Sequence, residues 1–178
     1  AEKAPSVGLF RERVGDSDYL LAFVTPPSVE QAQQKPLPRE VIFVIDNSGS
    51  MGGVSIVQAK ASLTYALGRL QPTDRFNVIR FDHTMEALYP SAVPADRQHV
   101  GRATSFVDAL QANGGTEMVP AMRAALSDNA GDTGYVRQVV FLTDGAIGNE
   151  QQLFETINAL RGRSRIFMVG IGSAPNTY

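Results

Sequence analysis

Cysteine is absent from the 178-residue chain, and so is tryptophan. Without cysteine there can be no disulfide, thiolate metal site or cysteine nucleophile within this segment, although the absence leaves the compartment open. Positive charge is not in excess: 16 Lys and Arg are scattered against 18 Asp and Glu. Nucleic acid is therefore not an expected partner, because binding phosphates needs a concentrated basic footprint. No apolar run reaches the length of a membrane-crossing helix, so no direct membrane insertion is expected of this segment. The opening residues lack a charged-then-apolar signal pattern, and Ala1 in place of Met is the mark expected of a processed or excised piece. A signal or anchor is expected to lie outside it. Only two histidines occur, His83 and His99. With no second His and no paired carboxylate at ligand spacing, both read as surface or turn residues.

A chain of this length is the size of one domain and can bury a core without metal or disulfide staples. Residues 1–39 read as an N-terminal extension. In it, Ala1 to Asp18 are polar and irregular, Tyr19 to Val24 form one strand stopped by Pro26-Pro27, and Ser28 to Arg39 make a Pro- and Gln-rich surface loop. From Glu40 onward strand and helix patterns alternate. Val41 to Ile45, Phe76 to Phe81, Val139 to Leu142 and Arg165 to Ile171 read as strands, with Met85 to Val93 a short edge strand between prolines. Helical spacing links Ile56, Ala59, Leu63, Leu67 and Leu70. It recurs through Val100, Ala103, Val107 and Leu110, through Met118 to Leu126, and through Leu153, Phe154, Ile157 and Leu160. This alternation predicts an α/β fold: a doubly wound, mostly parallel sheet with helices on both faces.

Asp46-Asn47-Ser48-Gly49-Ser50 follows directly on the first buried strand and gathers one carboxylate and two hydroxyls in one loop. Hard oxygen donors of this kind suit magnesium, manganese or calcium. Asn113-Gly114-Gly115-Thr116 lies between two helical stretches, and Val139 to Thr143 ends in Asp144-Gly145, repeating the strand-then-aspartate order of the first run. Parallel strands bring both aspartates to one sheet edge, where open α/β sheets build their crevices. Each residue alone also fits an ordinary role. Asp46 and Thr116 suit helix caps, and Asp-Gly suits a turn; their joint occurrence in this order favours a site.

Catalytic readings fit less well. A phosphatase of the haloacid dehalogenase type would use an aspartate such as Asp46 as nucleophile, but Ser48 stands where its general acid belongs. Gly114-Gly115-Thr116 lacks the lysine of a phosphate-binding loop, and Gly49-Ser50-Met51-Gly52 is not a nucleophile elbow. No enzyme activity is expected. Asp82, at the end of a strand, is a further acceptor expected near the same edge.

On these residues the chain resembles the von Willebrand factor type A family, whose metal-ion-dependent adhesion site combines a D-x-S-x-S loop with a separate threonine and a separate aspartate. The resemblance maps that site onto Asp46, Ser48, Ser50, Thr116 and Asp144. It implies that Ser48 and Ser50 touch a bound Mg²⁺ or Mn²⁺, with Ca²⁺ as a third option, and that Asp46, Thr116 and Asp144 act directly or through water. The likeness is greatest to the inter-alpha-trypsin-inhibitor heavy-chain branch and its bacterial relatives, where a segment like Glu12 to Asp16 and Tyr19 to Leu21 precedes the A domain. It implies a domain over residues 40–178 that is incomplete before its last helix. The implied function is metal-dependent binding of a protein presenting Asp or Glu, at an extracellular or envelope location. The alternatives are docking on an ATPase assembly of the magnesium-chelatase type and a purely structural metal.

Overall fold

The computed structural model describes residues 6–25, 37–127, 134–145 and 150–172. They fall into two compact units, 1–36 and 37–178.

In the first unit, β1 (Ser6–Val14) pairs antiparallel with β2 (Ser17–Thr25) over nine residue pairs. The region before Asp18, expected to be irregular, is thus a strand, and the extension holds two strands. Gly15-Asp16 is the missed signal. Gly15 takes a φ of +61°, and glycine at the first central position of a two-residue loop suits a twist-matched hairpin turn. Phe10 and Phe23 meet edge-to-face at 6.4 Å, and Arg11 pairs with Asp18 at 2.9 Å. Most of the expected Pro- and Gln-rich loop lies outside the described residues.

The second unit is built on a six-stranded sheet. β3 (Arg39–Asp46) runs parallel to β4 (Arg75–Phe81) on one side and to β7 (Val136–Thr143) on the other, and β8 (Arg165–Gly170) lies parallel beyond β7. β5 (Met85–Ala87) and β6 (Val93–Pro94) each pair antiparallel with β4. The single edge strand expected over Met85 to Val93 is therefore two short ones. Between them Leu88 N–H donates to Val78 O, and Asn77 Nδ2 donates to Tyr89 O at 2.8 Å; the chain turns here around a buried asparagine.

Strand periodicity explains the two layers. Val41, Phe43 and Ile45 of β3 point into a core formed with α1 (Val54–Leu67) and α2 (Arg97–Ala109), where Ala59, Leu63, Leu67, Ala103 and Val107 are buried. Ile42 and Val44 point the other way, into a core with α3 (Met118–Leu126) and α4 (Glu150–Leu160). A strand covered on both faces must be apolar on both, which is why Val41 to Ile45 read as a continuous run. The fold is α/β with helices on both faces of a mostly parallel sheet.

Charges close the amino-terminal edge of the sheet. Register places Glu40 between Arg75 and Arg137, and the buried Glu40 carboxylate pairs with both guanidiniums. Arg137 also donates to the carbonyls of Ala125 at 2.8 Å and Ser127 at 2.9 Å, satisfying acceptors at the end of α3. Burial, reinforced by the nearby charge of Arg163, holds the Arg137 pKa below its ordinary value. Asp74 accepts from the main-chain N–H of Arg39 at 2.8 Å and of Gln71 at 2.9 Å, and from the Arg39 guanidinium. Burial alone would raise its carboxyl, but these hydrogen bonds and the Arg39 charge outweigh that and hold it below the ordinary 3.8.

Two stability outcomes follow. Glu40→Leu should cost roughly 3–5 kcal/mol by leaving buried Arg137 without its carboxylate, read as a lower urea midpoint at unchanged slope; a Glu40→Leu, Arg137→Leu double variant should recover part of the loss. Asp74 contributes stability that is complete above its unfolded pKa and is lost as pH falls through its depressed folded value. The gap in melting temperature between the parent and Asp74→Asn should therefore be wide at neutral pH and close in strong acid.

Candidate metal centre

At the carboxyl edge of the sheet β3 ends in Asp46, beside the ends of β4 and β7. This is where the strand order reverses, since the chain leaves β3 for β4 on one side and later returns to β7 on the other. Asp46 has no exposed surface. One carboxylate oxygen accepts from Ser48 N–H at 2.8 Å, and the other from the Thr143 hydroxyl at 2.8 Å. Its role is thus to lock the loop to the end of β7, not to cap a helix. Thr143 was missed by the sequence reading. Its signal is its position as last residue of β7, next to Asp144, where a hydroxyl can reach across to β3.

Ser48 is buried and Ser50 exposed, and their hydroxyl oxygens lie 3.1 Å apart. Adjacent ligands of an octahedral ion at about 2.1 Å would be about 3.0 Å apart, so the spacing fits two neighbouring positions around one magnesium-sized ion. Burial is the main cause raising the Asp46 pKa; hydrogen bonds from Ser48 and Thr143 offset part of it, and the charge of Asp144 adds to the rise. Two carboxylates whose charges oppose each other at a buried edge suit a cation. Among the described residues no three His, Cys, Asp or Glu side chains converge on one point, so an ion here would depend on hydroxyls.

The Thr116 loop is drawn in by main-chain hydrogen bonds. Asn113 N–H donates to Asn47 O at 2.9 Å, Gly49 N–H to Gly114 O at 3.0 Å, and Glu117 N–H to Asp82 O at 2.7 Å. A Cβ on Gly49 would lie 3.1 Å from Gly114 O, so the close approach of the loops favours glycine there. Thr116 is half-buried between two of these tethers. It does not cap α3, whose N-cap residue is Glu117 with no side-chain cap. The structure thus joins Asp46, Ser48 and Ser50 through hydrogen bonds, sets the half-buried Asp144 within electrostatic reach of Asp46, and holds Thr116 on the adjoining loop. Gly145 adopts a φ of +85°, so the turn expected at Asp144-Gly145 is also present.

Two further residues support this edge. Asn47, between Asp46 and Ser48, donates from Nδ2 to Asp82 Oδ2 and to Gln111 O, each at 3.2 Å. Asp82 also accepts from the Thr84 N–H and hydroxyl and from Arg80. Burial raises its carboxyl, but these partners more than compensate and hold it below its ordinary value. The expectation that neither histidine pairs with a carboxylate is corrected: His83 Nδ1 lies 3.3 Å from Asp82, and His99 Nδ1 lies 2.8 Å from Asp96. Asp96 is the N-cap of α2, and its three-residue spacing to His99 follows from the first helical turn; His83 simply follows Asp82 where β4 ends.

Comparison with known proteins agrees with this fold. The model of the von Willebrand factor type A domain matches residues 39–177. Inter-alpha-trypsin inhibitor heavy chain H4 of Homo sapiens is 37% identical over 148 residues, covering 76% of this chain and 16% of that protein. A von Willebrand factor A domain-containing protein of Dictyostelium discoideum is 32% identical, covering 89% of this chain and 17% of its own length. The chain therefore spans about a sixth of these relatives. Among solved structures, a von Willebrand factor type A protein from Catenulispora acidiphila superposes with a TM-score of 0.67 at 20% identity, covering 94% of this chain and 40% of that one. The manganese-loaded TRAP protein of Plasmodium vivax gives 0.67 at 22% identity, covering 79% and 59%. With the family model matched over more than three quarters of the chain and a relative this similar, the chain belongs to the von Willebrand factor type A domain family.

Proposed function

We propose that this unit is a metal-dependent protein-binding domain, in which a divalent cation held by Asp46, Ser48, Ser50, Thr116 and Asp144 receives an Asp or Glu side chain from a partner. The observation that carries the reading is the pair of serine hydroxyls 3.1 Å apart beside a fully buried aspartate. Mg²⁺ or Mn²⁺ suits this oxygen-only donor set, and Ca²⁺ is the larger alternative. When bound, the cation would supply a Lewis-acidic position for an incoming carboxylate. Ser48 and Ser50 would hold it without neutralising it, because hydroxyls bring no charge. Asp46 serves from within, keeping Ser48 in place through its main-chain N–H while remaining tied to Thr143. Thr116 would contribute a hydroxyl from a loop whose position is set by its backbone. Domain boundaries at residues 40–178, an extracellular or envelope location and a non-enzymatic role belong to the same proposal, supported by the family and by the absence, in the sequence reading, of a nucleophile and base pair.

Metal-stripped protein should bind Mg²⁺ or Mn²⁺ in calorimetric titration at millimolar concentration or below, and an Asp46→Ala, Asp144→Ala double variant should not. Because a ligand held only by the folded state stabilises it in proportion to ln(1 + [L]/Kd), a hundredfold excess over Kd should add about 2.7 kcal/mol and raise the melting temperature. Equal binding by the double variant would move the ion elsewhere. Chelator should release protein partners captured from the native organism's surface, and Mg²⁺ should restore them. Thr116→Ala should weaken capture without unfolding the domain. Partners retained equally with and without chelator would leave any ion a structural role only.

A further inference from the structure

The loop that carries Thr116 contains a bond with its own chemistry. Asn113 is followed by Gly114, and no other asparagine in the chain precedes a glycine. Asn113 is exposed and lies in a stretch outside helix and strand, whereas Asn47 and Asn77 are buried and Asn158 sits within α4. The main-chain N–H of Gly114 donates to Asn113 Oδ1 at 2.8 Å, so the backbone nitrogen and the side-chain amide are already in contact. Gly114 has no side chain to shield that nitrogen.

We propose that Asn113-Gly114 is a self-modification site, at which Asn113 converts to isoaspartate and aspartate and alters the rim of the metal edge. The Gly114 nitrogen gives its proton to solvent base and bonds to Asn113 Cγ. The Cγ–Nδ2 bond breaks, and the nitrogen leaves as ammonia after taking a proton from solvent, which closes a five-membered imide. Water then opens the ring. Addition at Cγ restores the main chain with an aspartate; addition at the main-chain carbonyl carbon leaves the chain running through Cβ and Cγ as isoaspartate. The balance is one water consumed and one ammonia released, with no oxidant or reductant.

The position of the bond gives the change its effect. Asn113 N–H is tethered to Asn47 O, and Gly114 O accepts from Gly49 N–H. In isoaspartate an extra main-chain atom between these two tethers cannot satisfy both, so Thr116 shifts relative to Ser48 and Ser50; each product also exchanges a neutral amide for a carboxylate on this loop. This consequence rests on the proposed metal reading, whereas the modification does not. The lability is built in. A Cβ on Gly114 would fall 2.3 Å from His83 Nδ1 at a φ of +73°, so the loop geometry requires the glycine that leaves the bond exposed to attack.

The test is peptide mapping of the chain after incubation at warm, mildly alkaline pH, with isoaspartyl methyltransferase labelling, followed by Mn²⁺ titration of fresh and aged protein. Label should accumulate at Asn113 ahead of every other asparagine and be absent there in Asn113→Gln. The isoaspartate fraction should bind Mn²⁺ roughly tenfold more weakly or worse, the effect typical of losing a group that positions a metal ligand. Asn113→Gln aged alongside should keep its fresh affinity. Earlier labelling at another asparagine would overturn the site, and unchanged Mn²⁺ binding by the isoaspartate fraction would overturn its effect on the rim. If fresh protein binds no Mn²⁺, the metal reading fails, while the label still decides the modification.

Discussion

Parallel pairing of β3 with β4 and β7 at once is the constraint on which the rest of this unit depends. It makes β3 interior on every side: hydrogen-bonded at both edges and covered on both faces by helices. Such a strand must be apolar throughout, and its polar residues are pushed to its two ends. Glu40 therefore marks one end and Asp46 the other, and the register that aligns the strands brings Arg75 and Arg137 to the first and Thr143 to the second.

The two ends treat charge in opposite ways. At the amino edge every buried charge meets its counter-charge within the chain, as Glu40 does with its two guanidiniums and Asp74 with Arg39. Among the described residues nothing comparable neutralises Asp46. Its hydrogen bonds come from a main-chain N–H and a hydroxyl, and the charge that acts on it is that of another carboxylate, Asp144. Burial and repulsion act in the same direction there, so the carboxyl edge is electrostatically incomplete in a way the amino edge is not. That contrast within one sheet favours a cation at the carboxyl edge more directly than the identity of any single residue does.

Much of this was legible in the sequence because it follows from periodicity. Val41 to Ile45 and Val139 to Leu142 announce buried strands, and Ala59, Leu63 and Leu67 recur at the helical interval along the side of α1 that faces the sheet. The D-x-S-x-S spacing survives translation into structure because all three residues lie in one short loop. Less legible were features that depend on partners distant in sequence. Thr143 matters only because β7 lies beside β3, and Asn47 only because Asp82 ends the neighbouring strand. The hairpin of β1 and β2 was missed for a different reason. Its second strand is legible at Tyr19 to Val24, but β1 mixes polar and apolar residues without clean alternation, and the turn lies in a Gly15-Asp16 pair read as part of an irregular stretch.

The tethers that draw the Thr116 loop onto the Asp46 loop and the end of β4 are made by amide and carbonyl groups of the main chain. Side chains at Gln111, Ala112 and Glu117 take no part in those three bonds, so replacing them leaves the tethers' donors and acceptors in place. Placement of the loop is in this sense separable from its decoration. A lineage can rewrite the surface around such an edge while the framework that carries Thr116 keeps its geometry.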